Sequence, residues 1–146
     1  MKTPRPAAIA AGILLADATV HAIWLTGLTW PASDTRTLSL AVLNAEVPFI
    51  PRVLVPLIVL LITAATAVLI RARTRGGRAA TLVTAAVATG ASLRGLAGLV
   101  WAFGLGADPA TPFYWLNLLL YTPLCFALAT TTAVTLKGRI SSRWPA

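Results

Sequence analysis

Four long apolar runs, separated by short segments that hold most of the charge, constrain this 146-residue chain more than any other feature. Residues 7–28, 53–70, 79–104 and 113–136 each come close to the ~20 apolar residues that a helix needs to cross the hydrocarbon core of a bilayer. A backbone in lipid has to satisfy its own N–H and C=O groups, and a helix does so within itself. The expected fold is all-α, a bundle of four transmembrane helices forming one integral membrane domain over residues 1–146. Composition agrees. Hydrophobic residues make up 58% of the chain and charged residues 11%, where a soluble domain carries about a quarter.

Loop charge sets the expected orientation. Lys2 and Arg5 precede the first run; Arg71, Arg73, Arg75 and Arg78 join the second to the third; Lys137, Arg139 and Arg143 follow the fourth. The opposite side holds Arg36 and Arg52, with Asp34, Glu46 and Asp108 nearby. The positive-inside rule then puts both termini in the cytoplasm, as a multi-pass protein of the cytoplasmic (inner) membrane. A net charge of +8 in short clusters between apolar runs, without interleaved aromatics, is not a nucleic-acid surface. No nucleic-acid partner is expected. Cys125, the single cysteine, cannot form an intrachain disulfide, and no Cys/His group has the spacing of a structural metal site. No metal or cofactor is expected, and Cys125 reads as packing, with no base near it in its span. The first run continues past the small residues at 16–18, so it reads as a retained span and not a cleaved signal.

The loop at residues 29–52 carries a mildly amphipathic stretch at 37–47 (TLSLAVLNAEV), which suits a short interfacial helix ended by the prolines of PFIPR. It reads first as a connector, and second as a lid over the outer end of the bundle.

Polar residues inside the spans carry the functional signal. Asp17 lies near the middle of the first run, with His21 one helical turn further out on the same face and Trp24 continuing the stripe. Arg94 falls at a similar depth in the third run. A lone charge at the bilayer centre costs about 2.5–3.5 kcal/mol on insertion scales, so an Asp17–Arg94 ion pair is expected, with His21 hydrogen-bonded alongside. Gly90, Gly95 and Gly98 around Arg94 suit close helix approach. In the fourth run Tyr114, Asn117 and Tyr121 form a polar stripe, and Pro123 frees a carbonyl near Leu119. Asp17, His21, Arg94, Asn117 and Tyr121 are expected to converge in one outer-half cavity. Trp24, Trp30, Trp101, Tyr114 and Trp115 fall mostly near outer span ends, where aromatic residues anchor to the interface.

Three segments carry a family resemblance: HAIW at residues 21–24, LRGLAG at 93–98, and FYWLNLLLYTPLCFAL at 113–128. Together they resemble a bacterial family of small four-helix membrane proteins of unknown function, whose members carry an Asp or Asn followed by a Leu-Tyr-Ser/Thr-Pro-Leu-Cys run. Gly98 departs from the pattern, which has an acidic residue after the arginine segment. The resemblance implies a four-helix integral membrane protein and supplies no activity.

Three functions fit these residues. In the first, a lipid-like or isoprenoid-like small molecule binds, or is transformed, in the outer-half pocket, with Asp17, His21 and Arg94 as catalytic groups and Trp24, Asn117 and Tyr121 as ligand-binding ones. In the second, the protein is a structural or accessory subunit whose Asp17/Arg94 pair fixes helix packing. In the third, it is a small proton-coupled transporter with Asp17 and His21 as a relay, which four spans serve only as a homo-oligomer. The expected partner is a membrane lipid or lipophilic small molecule, with a second copy of the chain for the transporter. No nucleophile triad or phosphate loop is present, so the sequence does not decide whether the chain is an enzyme.

Overall fold

A computed structural model describes residues 4–73 and 77–137. Lys2, Arg75, Arg139 and Arg143, four of the basic residues used for orientation, lie outside the described residues. Helix α1 is Arg5–Leu25, α2 is Thr35–Leu43, α3 is Pro51–Arg73, α4 is Arg78–Ala102 and α5 is Pro112–Lys137. No strand occurs among the described residues. Helices α1, α3, α4 and α5 are long and apolar enough to cross a membrane, and the chain is a helical membrane protein. The largest changes from the expected spans are in α1, which begins at Arg5 and already ends at Leu25 instead of residue 28, and in α3, which reaches further at both ends. Pro51, assigned from sequence to the loop, is its first residue, where a missing N–H is no loss. The amides of Val53 and Leu54 both return to the Ile50 carbonyl, at 2.9 and 3.0 Å.

Small residues hold the bundle together. Ala7, Ala10, Ala11, Leu14 and Ala18 of α1 pack on Leu61, Ala64, Ala65 and Val68 of α3. In lipid the hydrophobic effect between helices is absent, so close backbone approach over such residues supplies the attraction. Around the bundle α1 packs on α3, α3 on α4, α4 on α5 and α5 on α1. This order sets α1 and α4 diagonally apart. Arg71 Nη2 donates to the Leu136 carbonyl at 3.2 Å, so α3 and α5 end together, and Arg5, Arg71, Arg73, Arg78 and Lys137 share one basic end. Leucines that find no partner inside point outward, such as Leu82 (68% exposed) and Leu119 (69%). They form the surface that lipid covers.

The opposite end is capped by α2. The Asp34 carboxylate accepts from the Thr37 amide at 2.9 Å and from the Thr37 and Ser33 hydroxyls at 2.8 and 2.9 Å, which starts the helix. Asn44, in the left-handed region at φ 55°, ends it. These caps place the helix at Thr35–Leu43 instead of 37–47. It does not lie free on the membrane surface either. Leu38 is buried against Trp24 and Leu54, buried Ser39 bridges the Ala45 carbonyl and the Val47 amide, and Asn44 Nδ2 donates to Gly106 O at 3.1 Å. The segment covers the bundle end as well as connecting two spans.

Candidate functional site

The fourth span is not a regular helix. Residues Asn117–Tyr121 form a π turn, closed by the Thr122 amide bonding to the Asn117 carbonyl five residues earlier. Pro123 explains it. Proline has no N–H for the Leu119 carbonyl, and its ring would collide with that carbonyl in an α-helix; widening the preceding turn relieves both problems. Such turns recur at functional sites. Here Asn117 opens the turn and is fully buried.

Asn117 is the hub between α4 and α5. Its Nδ2 donates to the Gly98 carbonyl at 3.0 Å, and its Oδ1 accepts from Arg94 Nη1 at 3.0 Å. Gly98 makes this possible: a methyl group there would overlap the Thr122 hydroxyl and sit 3.3 Å from Asn117 Oδ1. Gly95 is likewise close-packed, against the Phe126 ring. Gly90 faces open space, so the close-packed face expected around Arg94 consists of Gly95 and Gly98 without it. The Arg94 guanidinium lies over the Trp101 ring, 4.7 Å from its centroid, with Tyr121 at 5.9 Å. Trp101, one residue before the end of α4, is therefore also a platform for the cation. The seven-residue spacing from Arg94 to Trp101 puts both on one helical face, a signal the sequence carried.

On α1, His21 Nδ1 lies 2.8 Å from the Asp17 carbonyl oxygen and 3.3 Å from Asp17 Oδ1. With two acceptors facing Nδ1, the neutral ring carries its proton there and its lone pair on Nε2. The imidazole also packs edge-on against Trp24, at 5.0 Å. Trp24 is buried, stacks on Phe49, and donates from Nε1 to the Trp30 carbonyl at 3.0 Å. It fastens α1 to the capping loop and is not an anchor at the interface. Trp30, 78% exposed, and Trp115 do have the exposure of anchors. Tyr114 donates to the Ala102 carbonyl at 3.0 Å and pins the α4–α5 turn.

The expected Asp17–Arg94 ion pair is absent among the described residues: Asp17 pairs with His21, and Arg94 with Asn117. Depth alone suggested the pair. Asp17 lies eight residues before Leu25 and Arg94 eight before Ala102, so both sit about 12 Å below the capped end at ~1.5 Å per residue. Depth does not fix direction around the helix axis, and the diagonal placement of α1 and α4 keeps the two apart. The Arg94 group reaches α5 through Asn117 and the Tyr121 ring, while on α1 the Asp17 side chain is 52% exposed and the His21 one 14%. Among the described residues the Tyr121 hydroxyl has no hydrogen-bond partner, nor does the buried hydroxyl of Thr122. No three His, Cys, Asp or Glu side chains gather as a metal set among those residues. Sequence reasoning named Asp17, His21, Arg94, Asn117 and Tyr121; it missed Trp101 as a cation platform, Thr122, and the reason for Gly98.

The chain belongs to the family described as Protein of unknown function (DUF3995), which matches residues 14–132. That stretch contains Asp17 and His21 on α1 as well as Arg94, Asn117, Tyr121 and Thr122 on α4 and α5. No curated protein and no solved structure matches the chain.

Proposed function

We propose that this member of the family takes a lipophilic molecule with a polar, oxygen-bearing head from within the bilayer. The head lies between Asp17–His21 on α1 and Arg94–Asn117 on α4 and α5. One observation carries the reading: acid and cation lie at one depth of the bundle, yet each is oriented by neutral or weakly basic neighbours instead of by the other. Asn117 and Trp101 hold the guanidinium in place without neutralising it. An anionic or strongly dipolar oxygen offsets the cost of keeping that cation in lipid, and the Tyr121 hydroxyl adds a donor. Trp24 supports His21 from the capped end instead of touching the ligand.

The chemistry such a site favours is proton transfer. Nε2 of His21 accepts a proton, Asp17 stabilises the imidazolium that results, and Arg94 holds the charge that develops on the substrate oxygen. The basic end faces the cytoplasm in this reading, so the compartment opens in the outer half of the bilayer. A purely structural role is the second reading, and buried Asn117, bridging Gly98 and Arg94, favours it.

Co-purification separates the two. Wild type, Asp17→Asn, His21→Ala and Arg94→Gln are purified in mild detergent, their bound lipids extracted and weighed by mass spectrometry, and their thermal midpoints compared. The expected result is a molecule enriched on wild type and reduced about tenfold on Arg94→Gln, equivalent to ~1.4 kcal/mol, with folding retained. A wild type that carries nothing beyond bulk lipid, together with collapse of Asp17→Asn and Arg94→Gln, would establish the structural role instead.

A further inference from the structure

A second feature lies at the other end of the bundle. Helices α3 and α4 leave between them a groove of about 470 Å³, lined by Ile62, Thr66, Ala67 and Ile70 on one wall and by Gly77, Ala80 and Val83 on the other. Its lining is apolar except for two threonines, and Thr66 already donates to the Ile62 carbonyl at 2.8 Å. An apolar groove between two spans takes hydrocarbon. The mouth says which kind of molecule brings it.

That mouth is strongly basic. Arg78 is exposed and stands between the lining residues Gly77 and Ala79. Arg73 follows Ile70 by three residues, and Arg5, Lys137 and Arg71, the last turned onto the Leu136 carbonyl, share the same end. The chain has four acidic residues in all, Asp17, Asp34, Glu46 and Asp108, and none stands at this end. Gly77 caps α4 without a side chain, and the first turn of the helix holds no acid, so the partial positive charge of the helix start adds to that of Arg78. Hydrocarbon below and positive charge above match one occupant, a lipid with a negatively charged head.

We propose that the α3–α4 groove seats one anionic phospholipid, with an acyl chain along the groove and its phosphate beside Arg78. The seat is independent of the compartment around Arg94, and stands or falls separately. It goes beyond the general attraction of basic loops for anionic membranes, because it requires the groove as well as the charge.

Native mass spectrometry tests it, on the full chain in nanodiscs of phosphatidylcholine doped with phosphatidylglycerol. Wild type is expected to retain phosphatidylglycerol over phosphatidylcholine after release. Arg78→Gln lowers that retention about fivefold, the weight of one basic residue at a membrane surface, and Arg78→Lys keeps it. Ala80→Trp and Thr66→Trp fill the groove from opposite walls and leave every charge in place. Each is expected to abolish the preference while keeping the wild-type thermal midpoint to within a few degrees, and either one that folds suffices for the test. Inorganic phosphate at millimolar concentration is expected to leave the lipid bound. The proposal is overturned if both lipids are retained equally, if a folded tryptophan variant keeps the preference, or if phosphate alone displaces the lipid.

Discussion

Replacing Gly98 by alanine isolates the contact on which the α4–α5 half of the site depends. The added methyl would overlap the Thr122 hydroxyl, lie 3.1 Å from Thr122 Cβ, and lie 3.3 Å from Asn117 Oδ1. Both neighbours are buried, and Asn117 is held by Gly98 and Arg94, so neither can yield without loss. Overpacking of this kind costs about 1–3 kcal/mol. Against it stands the helix propensity that alanine gains over glycine, about 0.5–1 kcal/mol. Gly90→Ala supplies the reference, because nothing lies within 4 Å of a methyl there. It should gain the propensity term alone. The difference between the two variants therefore cancels propensity and reads the overpacking, with Gly98→Ala the less stable by about 1–3 kcal/mol. Thermal unfolding of both variants in the same detergent measures that difference. A second arm adds Thr122→Ala, which removes a hydroxyl that has no partner. Alone it should cost little, since an unsatisfied buried polar group is already unfavourable. Combined with Gly98→Ala it should recover part of the loss, which a double-mutant cycle reports as coupling. Equal stability of Gly90→Ala and Gly98→Ala would refute the packing argument, and with it the reason for the placement of Asn117.

Other expectations follow from individual residues. Arg94→Lys keeps the charge but loses the flat stacking on Trp101 and the reach to Asn117; it should fold normally and lose most of the co-purifying lipophile, as read by mass spectrometry. Asn117→Leu removes two intramembrane hydrogen bonds, each about 0.6 kcal/mol in measured cases, and strands the guanidinium, so its thermal midpoint should fall further than that of Arg94→Lys. The Asp34 carboxyl, held down to about 2 from 3.8 chiefly by the Thr37 amide and then by the Thr37 and Ser33 hydroxyls, ties α2 to its cap. A depressed acid stabilises the fold above its unfolded value and ceases to do so as pH falls through its folded one. Protection of the Thr37 amide against hydrogen exchange, taken relative to its intrinsic rate at each pH, should thus fall between about pH 4 and pH 2 in wild type and show no such step in Asp34→Asn. With Cys125 replaced by alanine, single cysteines at Arg78 and Asp108 should label from opposite faces of sealed vesicles; labelling of both from one face would remove the four-span topology.

Hydropathy made the four spans legible because lipid leaves a chain few alternatives, and the same reasoning located the basic end. Span ends were less legible, since Pro51 suits either a loop or the first position of a helix. The bounds of α2 were written in Asp34 and Asn44, residues whose side chains and backbone preferences favour caps. The site divides in the same way. That Asp17, His21, Arg94 and Asn117 are polar residues in lipid is plain from the sequence. Which of them meet depends on rotation about each helix axis, and periodicity gives that only relative to neighbours that are themselves unknown. Arg94 thus found Asn117 across a directly packed interface, while Asp17 turned to His21 on its own helix. Pro123 announced the disturbance that widens the chain into a π turn, but the burial of Asn117 against Gly98 came from the packing of α4, which the sequence does not give. The absence of an acid at Gly98, read from the resemblance as a departure, has a steric account: no side chain fits there.

The most direct test of the central claim is a structure of the protein purified with its native lipids, read at the space between Asp17 and Arg94. The expected result is that Asp17 remains on His21, that Arg94 remains on Asn117 and Trp101, and that a bound head group lies within hydrogen-bond distance of the guanidinium. A closed compartment with Asp17 turned onto Arg94, and nothing between them, would contradict it.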